Sequence, residues 1–220
     1  MTTDAPNPTS VVVADDQPVV LAGLAAMIDS ALDLAVVATA SDGEALLSEV
    51  ARHRPDVAVV DVRMPRLDGI GATRRICREY PDTHVLILTT FDLDEYVYDA
   101  LLAGASGFLL KDVTAPRLIE AVRMIADGSM LLGPTATRRL VHEVAARSAT
   151  APHPGMNDLS DREREVLLAV ARGLSNAEIA AELTVSENTV KTHISQVLRK
   201  LDARSRVQLV IAAYDHGLVR

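Results

Sequence analysis

The sequence predicts a doubly wound α/β domain with a five-stranded parallel sheet, followed by a small all-α domain of four helices. Short apolar runs, such as 57–60, alternate with segments of helical periodicity, such as 69–80, and most of these runs end on a polar residue. Continuous apolar runs are typical of strands that are buried on both faces of a parallel sheet. From residue 158 onward the periodicity is helical throughout, which indicates a second domain of a different class.

The elements of the first domain follow in order along the chain. Strands are predicted at 10–14, 34–38, 57–61, 85–89 and 107–110, with a helix after each. The fifth helix is predicted to be capped by Thr114, with Pro116 in its first turn, and to run to about Asp127, before Gly128. We therefore expect this domain to span 10–128 and residues 1–9 to be disordered.

A linker is predicted at 129–157. Its first part, 134–146, has helical character, whereas 148–157 is rich in Ala, Thr and Pro and lacks any apolar period. The second domain should then occupy 158–220.

Serine residues mark the four helix starts of the second domain. Three form capping-box patterns, Ser160 with Glu163, Ser175 with Glu178 and Ser205 with Gln208, and Ser186 precedes the remaining helix. Only Thr184 and Val185 separate the second helix from the third, so the two helices must cross steeply. This arrangement is the helix-turn-helix.

Composition limits the classes of function. The chain has 220 residues, a formal charge of -8, 49% hydrophobic residues and a single cysteine, Cys77, so we expect no disulfide framework and a reducing, cytoplasmic location. It has no signal-type start and no apolar run near the roughly 20 residues that span a bilayer, so no membrane partner is expected. Segment 186–206 nevertheless holds five basic and two acidic residues, a local positive charge that favours nucleic acid.

Polar residues at the strand ends form one chemical set. Asp15 and Asp16 follow the first strand, Asp61 ends the third, Thr89 ends the fourth and Lys111 follows the fifth. The carboxyl ends of parallel strands share one edge of the sheet, so these residues should converge in the usual ligand crevice.

The chemistry of this set predicts a metal and a phosphoryl group. Three carboxylates at one edge repel one another unless a cation lies among them, and an oxygen-only site suits Mg²⁺. Lys111 offers a positive charge and Thr89 a hydroxyl donor for phosphoryl oxygens. Asp61 is at the centre of the sheet and is the predicted nucleophile, which would give an acyl phosphate.

This set resembles the receiver domain of two-component response regulators, a flavodoxin-like fold, over about 11–127. The resemblance implies that Asp61 accepts a phosphoryl group from a sensor histidine kinase and that Asp15, Asp16, Asp61 and the backbone carbonyl of Arg63 hold Mg²⁺. It also implies that Thr89 and Phe108 form a switch pair, in which the ring moves inward after the hydroxyl. Phe108 stands where many receivers have Tyr, and Asp112 where many have Pro after the lysine.

The third helix of the second domain is predicted to bind DNA. On a helical wheel the apolar residues form one stripe that should face the core: Val190, Ile194, Val197, Leu198 and Leu201. The opposite face is polar and consists of Asn188, Thr192, Ser195, Gln196 and Arg199. Its flanks carry Lys191, Thr189, His193 and Lys200. Such a face fits the major groove of duplex DNA. Arg204, Ser205 and Arg206 are predicted to form an anion-binding cluster at the start of the last helix.

The stretches 159–167, 173–180 and 189–193 resemble the LuxR-type DNA-binding domain. A receiver joined to such a domain is typical of the NarL/FixJ class of transcriptional regulator. The resemblance implies that Lys191, Thr192 and Ser195 face bases and that Thr189 and Lys200 face the DNA backbone. From the two-domain layout we expect phosphorylation to promote a homodimer that places two recognition helices on half-sites.

Two other functions fit part of the pattern. A haloacid dehalogenase-like phosphatase also uses a strand-end Asp with Mg²⁺, but it needs a second Asp two residues on, where this chain has Arg63. A LuxR-type sensor of an apolar small molecule should have an aromatic pocket, whereas only 3% of these residues are aromatic. A regulator without enzymatic turnover is therefore the favoured interpretation.

Overall fold

A computed structural model describes residues 7–90, 94–129 and 155–219. In the first domain the elements are β1 (Thr9–Ala14), α1 (Pro18–Asp29), β2 (Leu34–Ala40), α2 (Gly43–His53), β3 (Val57–Asp61), α3 (Gly69–Glu79), β4 (His84–Thr89), α4 (Asp94–Ala103), β5 (Gly107–Leu110) and α5 (Ala115–Ala126). A 3-10 turn (Met156–Asp158) opens the second domain, which continues with α6 (Asp161–Ala171), α7 (Asn176–Leu183), α8 (Glu187–Lys200) and α9 (Arg206–Asp215).

The five strands form one parallel sheet in the order β2-β1-β3-β4-β5. Alternate side chains of each strand point to opposite faces of the sheet. Val12 and Val60 pack in the apolar cluster on one face, whereas Val13 and Val59 pack in the cluster on the other face, together with residues of α1 and α5. Both faces of the sheet are therefore covered by helices, which is why the strands read as continuous apolar runs. The predicted doubly wound fold is confirmed.

All five strands lie within two residues of their predicted positions. The largest difference is β2, which continues to Ala40, and β1 begins one residue early, at Thr9. Thr9 pairs with Leu34 and its amide donates a 2.9 Å hydrogen bond to the Asp33 carbonyl, so the expected disorder of residues 1–9 is wrong at Thr9. Residues 1–6 lie outside the described part of the chain.

Helix α5 begins and ends where the sequence predicts. Thr114 occupies the N-cap position, but its side chain accepts no capping hydrogen bond, and a proline in the first turn supplies the helical backbone angle instead. None of the helices in the described part of the chain is long and apolar enough to cross a membrane.

The second domain begins slightly before its predicted boundary. Met156, in the 3-10 turn, is only 6% exposed and packs in the same apolar cluster as Leu159 and Val166. Residues 156 and 157 therefore belong to the second domain rather than to the linker. The predicted linker helix at 134–146 lies outside the described residues.

Two of the three predicted capping boxes are complete. In the boxes of Ser160 with Glu163 and Ser175 with Glu178, the serine hydroxyl accepts from the backbone of the glutamate and the carboxylate accepts from the backbone of the serine. The third box forms only in part. Ser205 accepts from the Gln208 amide, but the Gln208 side chain binds elsewhere.

The second domain docks on the edge of the sheet where the strands begin. A cleft of about 260 Å³ between the domains is lined by His84 and Ser106, at the amino ends of β4 and β5, and by Lys191 and Ser195 from α8. The Gln208 Nε2 donates a 2.9 Å hydrogen bond to the Leu102 carbonyl at the end of α4. The strand-end polar set lies at the opposite edge.

Candidate functional site

The three predicted carboxylates meet at the carboxyl edge of the sheet. Asp15, Asp16 and Asp61 each place a carboxylate oxygen within 4.8 Å of the other two. Asp15 is completely buried and Asp61 is 5% exposed, whereas Asp16 faces solvent. The three carboxylates meet because β1 and β3 are neighbours in the sheet. The strand order also reverses between β1 and β3, and such a reversal opens a crevice at the carboxyl edge of an α/β sheet.

Lys111 lies between two of these carboxylates. Its Nζ is 2.6 Å from the Asp15 Oδ2 and 3.0 Å from the Asp61 Oδ1, and its side chain is only 7% exposed. The Lys111 amide also donates a 2.8 Å hydrogen bond to the Thr89 carbonyl, which fixes the lysine to the end of β4. One buried cation therefore contacts two buried anions, which leaves this edge with a net negative charge.

The electrostatics of Asp61 reflect its burial. Loss of hydration raises the pKa of the Asp61 carboxyl above its usual value, and the negative charge of Asp15 acts in the same direction. The hydrogen bond and charge of Lys111 oppose this shift. Asp61 is a buried carboxylate that shares a single cation with Asp15, so its charge is not fully neutralised. A carboxylate in such a setting is a candidate reactive group.

A tight loop after β3 fixes the backbone of Asp61. The Gly69 amide donates a 2.9 Å hydrogen bond to the Val62 carbonyl, and a Cβ at Gly69 would overlap the carbonyl of Asp61. Asp68 caps the following helix, since its side chain accepts from the Gly71 amide at 2.7 Å. The close approach of Gly69 to Asp61 had no sequence signal, because it depends on how the loop folds back.

The donor set fits a hard divalent cation. Asp15 Oδ2 and Asp61 Oδ1 are buried oxygens that share the Lys111 ammonium, and Asp16 is exposed beside them. Arg63 and Asp16 both line a cavity of about 420 Å³ at the same edge, and the metal-binding role of the Arg63 carbonyl stays a prediction. Oxygen ligands with one open side are what Mg²⁺ favours in proteins.

The expected switch pair lies on adjacent strands. Thr89 is 2% exposed at the end of β4, and Phe108 on β5 is 5% exposed within the apolar cluster. Phe108 pairs with Ile87, two residues before Thr89. The ring of Phe108 is buried in this structure, and its movement on phosphorylation stays a prediction.

Helix α8 presents the face that the sequence predicts. Val190, Ile194 and Val197 are buried, while Asn188, Lys191, Thr192, Ser195 and Arg199 are exposed and Thr189 is half-buried. Thr192 and Ser195 donate their hydroxyl hydrogens to the carbonyls of Asn188 and Lys191, one turn earlier, at 2.9 and 3.0 Å. The helix therefore carries a polar, cationic surface on a firmly packed base.

Lys200, Ser205 and Arg206, which the sequence predicts on the DNA surface, are engaged within the second domain. The Lys200 Nζ binds the Glu163 Oε2 at 2.7 Å and the Asp158 carbonyl at 2.9 Å. Arg206 is 5% exposed, and its guanidinium donates to the Asn176 Oδ1 at 2.6 Å and to the Leu174 carbonyl. Ser205 is buried and caps α9.

The predicted anion-binding cluster at 204–206 is therefore incorrect as a surface. Only Arg204 of the three is exposed, because packing against α7 encloses Arg206. Burial lowers the pKa of the Arg206 guanidinium to about 10, which still leaves it charged at neutral pH. Arg206 holds the start of α7 to the start of α9.

Lys191 faces the first domain. Its Nζ lies 3.6 Å from the Asp127 Oδ1, and Lys191 and Ser195 both line the cleft between the domains. Both residues of this ion pair are well exposed, at 45% and 75%, so the contact is weak. A duplex bound by Lys191 and Ser195 would need this cleft to open.

These features together define an α/β domain with three carboxylates and a lysine at the carboxyl edge of its sheet, joined to a helix-turn-helix domain. The chain belongs to the response regulator family: the model of the response regulator receiver domain matches residues 11–123, and that of the LuxR family of bacterial regulatory proteins matches 157–213. It is a two-component response regulator with a LuxR-type DNA-binding domain, as the sequence predicts.

Several known proteins resemble the chain along its whole length. The transcriptional regulatory protein YxjL of Bacillus subtilis is 39% identical, with 96% of this chain and 97% of that protein covered. The oxygen regulatory protein NreC of Staphylococcus epidermidis is also 39% identical, with 95% and 98% covered. These relatives are regulators, which accords with a role other than enzymatic turnover.

Solved structures give the same result. The response regulator ChrA of a heme-sensing two-component system is 38% identical, has a TM-score of 0.53 and is matched over 97% of this chain and 100% of that one. RcsB, solved as two dimers bound to two parallel DNAs, is 25% identical with a TM-score of 0.56, over 95% and 99%.

Proposed function

We propose that Asp61 accepts a phosphoryl group from a sensor histidine kinase and that this modification controls how the second domain binds promoter DNA. The observation that carries the proposal is the convergence of Asp15, Asp61 and Lys111 within hydrogen-bonding distance at one sheet edge. A location in the cytoplasm, where DNA is found in a bacterium, follows from this function.

In the transfer step an Asp61 carboxylate oxygen attacks the phosphorus while the bond from phosphorus to the kinase histidine nitrogen breaks, and that nitrogen keeps the electron pair. The product is an acyl phosphate on Asp61. Lys111 would bind a phosphoryl oxygen, and Thr89 would donate its hydroxyl to another. Asp15, Asp16, Asp61 and the Arg63 carbonyl would hold Mg²⁺, which neutralises charge on the transferred group.

The phosphoaspartate should then be lost slowly by hydrolysis. The Asp15 and Asp16 carboxylates would be needed for the metal, and the Lys111 ammonium is engaged with the Asp15 and Asp61 carboxylates. The position two residues after the nucleophile, where the haloacid dehalogenase mechanism needs an acid, is Arg63. A persistent modification rather than turnover is the expected outcome.

DNA binding is assigned to the exposed face of α8. Lys191, Thr192 and Ser195 are exposed and are proposed to reach base edges, with Thr189 and Arg199 near the backbone. Lys200 and Arg206, which are engaged inside the domain, support the shape of this surface rather than extend it. Arg204 remains available as a cation beside α9.

The proposed active form is a homodimer that pairs through α1. This helix carries no charge between Pro18 and Ile28, and Val19 and Met27 on it are 85% and 36% exposed, with Leu32 completely exposed just beyond it. An uncharged, apolar face can pack against its own copy without burying unpaired charge. Pairing would bring two α8 helices to half-sites about one helical turn apart.

Phosphodonor labelling tests the transfer. The full chain is incubated with Mg²⁺ and acetyl phosphate and followed by intact mass, and we expect one stable phosphoryl group on the chain and none on Asp61→Asn. Continuous release of phosphate, or labelling of the Asp61→Asn variant, would contradict the proposal. Size-exclusion chromatography of the same samples should show a dimer only after labelling, and Val19→Asp should remain a monomer while still accepting the label.

DNA binding is tested with selected genomic fragments. Lys191→Ala should weaken binding and reduce the slope of log K against log salt by about 0.9, the value for one neutralised phosphate. Arg172→Ala is the control, since Arg172 is an exposed cation that pairs with Glu182 outside α8. Equal slopes for the two variants would remove Lys191 from the interface.

A further inference from the structure

A group of arginines on the receiver has no role in the function described so far. We define the arginine surface as Arg52, Arg54, Arg74, Arg75 and Arg78, at the end of α2 and along α3. Of the ten Lys and Arg residues between 10 and 128, half lie here, together with Glu49 and Glu79, and Asp56 and Asp82 follow the ends of the two helices. A domain with an excess of acids therefore carries one distinctly positive face.

The arginines are neighbours in space and open to solvent. Helices α2 and α3 pack side by side, and the Arg54 guanidinium lies 4.4 Å from the centre of the Tyr80 ring, just beyond the end of α3. Arg75 and Arg78 approach the same oxygen of Glu79, at 3.8 and 2.6 Å, and their side chains are 46% and 59% exposed. One carboxylate is thus shared by two cations.

The remaining charge is not neutralised. Within the described parts of the chain, Arg52 and Arg74 are exposed and have no ion-pair partner. Glu49 is engaged with His53, at 3.2 Å. The surface therefore has several guanidinium groups whose donors point to solvent, and this is the group that binds phosphate oxygens in a bidentate manner.

The arginine surface continues into the DNA-binding domain. Arg204 lies close to α3 through Gly104. The Arg204 Cβ is 3.6 Å from the position that a Cβ on Gly104 would occupy, and the Gly104 carbonyl accepts a 3.3 Å hydrogen bond from the Cys77 thiol on α3. Burial raises the pKa of the Cys77 thiol to about 12, and the nearby charge of Arg204 acts against this shift. Pro81 and Asp82, which follow α3 directly, line the cleft with Lys191.

This continuity favours DNA over an acidic protein as the partner. The arginine surface lies beside exposed cations of the DNA-binding domain. All the cations of the arginine surface are arginines, which bind phosphate well. The arginine surface as defined contains no apolar anchor of the kind that protein interfaces usually have. Sequence-independent binding to DNA requires only phosphate contacts. Such binding does not require the base-reading face of α8, part of which faces the first domain across the cleft in this conformation.

We propose that the arginine surface, together with Arg204, binds the phosphate backbone of duplex DNA and gives the unphosphorylated protein a sequence-independent mode of binding. In this mode the domains stay docked and α8 reads no bases. Phosphorylation then changes a weak, non-specific complex into a specific one, instead of recruiting the protein from free solution. The inference rests on the proposed DNA-binding function.

The test compares salt dependence among variants of the full, unphosphorylated chain. Binding to a fluorescent duplex of random sequence is measured by anisotropy across a salt series. Arg52→Gln/Arg74→Gln/Arg78→Gln should bind on the order of tenfold more weakly at low salt, and the slope of log K against log salt should fall by about 0.9 for each phosphate that is no longer neutralised. Arg74→Gln alone should lower the slope by about one such step.

Arg117→Gln is the matched control, because it removes one exposed helical arginine from the same domain, on α5, where Arg117 pairs with Glu120. It should leave the slope unchanged. An unchanged slope in the triple variant would overturn the inference and assign the surface to an acidic protein partner. Failure of the unphosphorylated wild-type chain and of Arg117→Gln to bind any duplex would also overturn the inference. Failure of the phosphorylated chain to bind any selected genomic fragment would instead contradict the proposed function itself.

Discussion

The side-chain amide of Asn176 joins the two domains. Its Nδ2 donates a 2.8 Å hydrogen bond to the carbonyl of Asp127, just after α5, while its Oδ1 accepts a 2.6 Å hydrogen bond from the buried Arg206. Asn176 is only 4% exposed, its bond to Arg206 is buried, and its bond to the Asp127 carbonyl is partly buried. The DNA-binding domain is therefore held to the receiver through a residue that also organises its own interior.

Loss of the other interdomain hydrogen bond should loosen the docked state. Gln208→Ala removes the bond to the Leu102 carbonyl but leaves Asn176 and Arg206 intact. We expect a larger radius of gyration by small-angle X-ray scattering and tighter operator binding, since α8 is uncovered more often. Arg172→Ala, which removes an exposed side chain paired with Glu182 within the second domain, is the control. Identical scattering for Gln208→Ala and wild type would contradict the prediction.

Replacement of Asp61 should stabilise the metal-free protein at neutral pH. Burial raises the pKa of Asp61 in the folded state, so folding favours its protonated form: this stability is fully present below the unfolded value of 3.8 and is lost as pH rises through the folded pKa. Asp61→Asn should therefore increase the free energy of unfolding at pH 7 by about 1 kcal/mol and have little effect near pH 3.

Urea denaturation in the presence of a chelator, at several pH values, measures this effect. Asp16→Asn is the control because Asp16 is exposed, and it should change stability little at any pH. A destabilised Asp61→Asn variant at pH 7 would show that Lys111 compensates Asp61 more fully than its burial indicates.

The ion pair between Glu163 and Lys200 should stabilise the second domain. The hydrogen bond from Lys200 lowers the pKa of Glu163 to about 2, so this stability is present above the unfolded value of 4.5 and is lost as pH falls toward 2. Glu163→Gln removes the charge but keeps a residue that can complete the capping box. It should lower the free energy of unfolding by only about 1 kcal/mol at pH 7, because Lys200 is partly solvated.

Glu178→Gln is the matched control for that variant. Glu178 closes the second capping box with Ser175 and is exposed, and no ion pair with it is present in the described residues. Thermal unfolding of the two variants should differ at pH 7 and converge near pH 2. A cost for Glu178→Gln equal to that for Glu163→Gln would attribute both effects to the caps.

Thr184 is expected to strain the turn of the helix-turn-helix. It has φ 56° and ψ 50°, the left-handed conformation, which is costly for a β-branched residue. Thr184→Asn should increase the free energy of unfolding by about 1 kcal/mol, since Asn tolerates this conformation. Thr184→Val, which keeps the branch, should give no gain in a denaturant titration, and equal stability of the two variants would argue against strain.

The strand ends illustrate what could be predicted. Asp15, Asp61 and Lys111 were expected to converge because parallel strands end at one edge, and this rule is independent of side-chain detail. The roles of Arg206 and Lys200 could not be predicted. In the sequence each is a cation near a helix end, and only packing decides whether such a residue lies on the surface or pairs inside.

The sequence by itself determined the fold class, the element order, the gathering of the three carboxylates and the family, because these depend on periodicity, caps and local order along the chain. The tertiary structure decided what depends on contacts between distant segments. It enclosed Arg206 and the ring of Phe108, and it placed Lys191 3.6 Å from Asp127. Such contacts arise from the docking of whole elements, and no local pattern of residues encodes them.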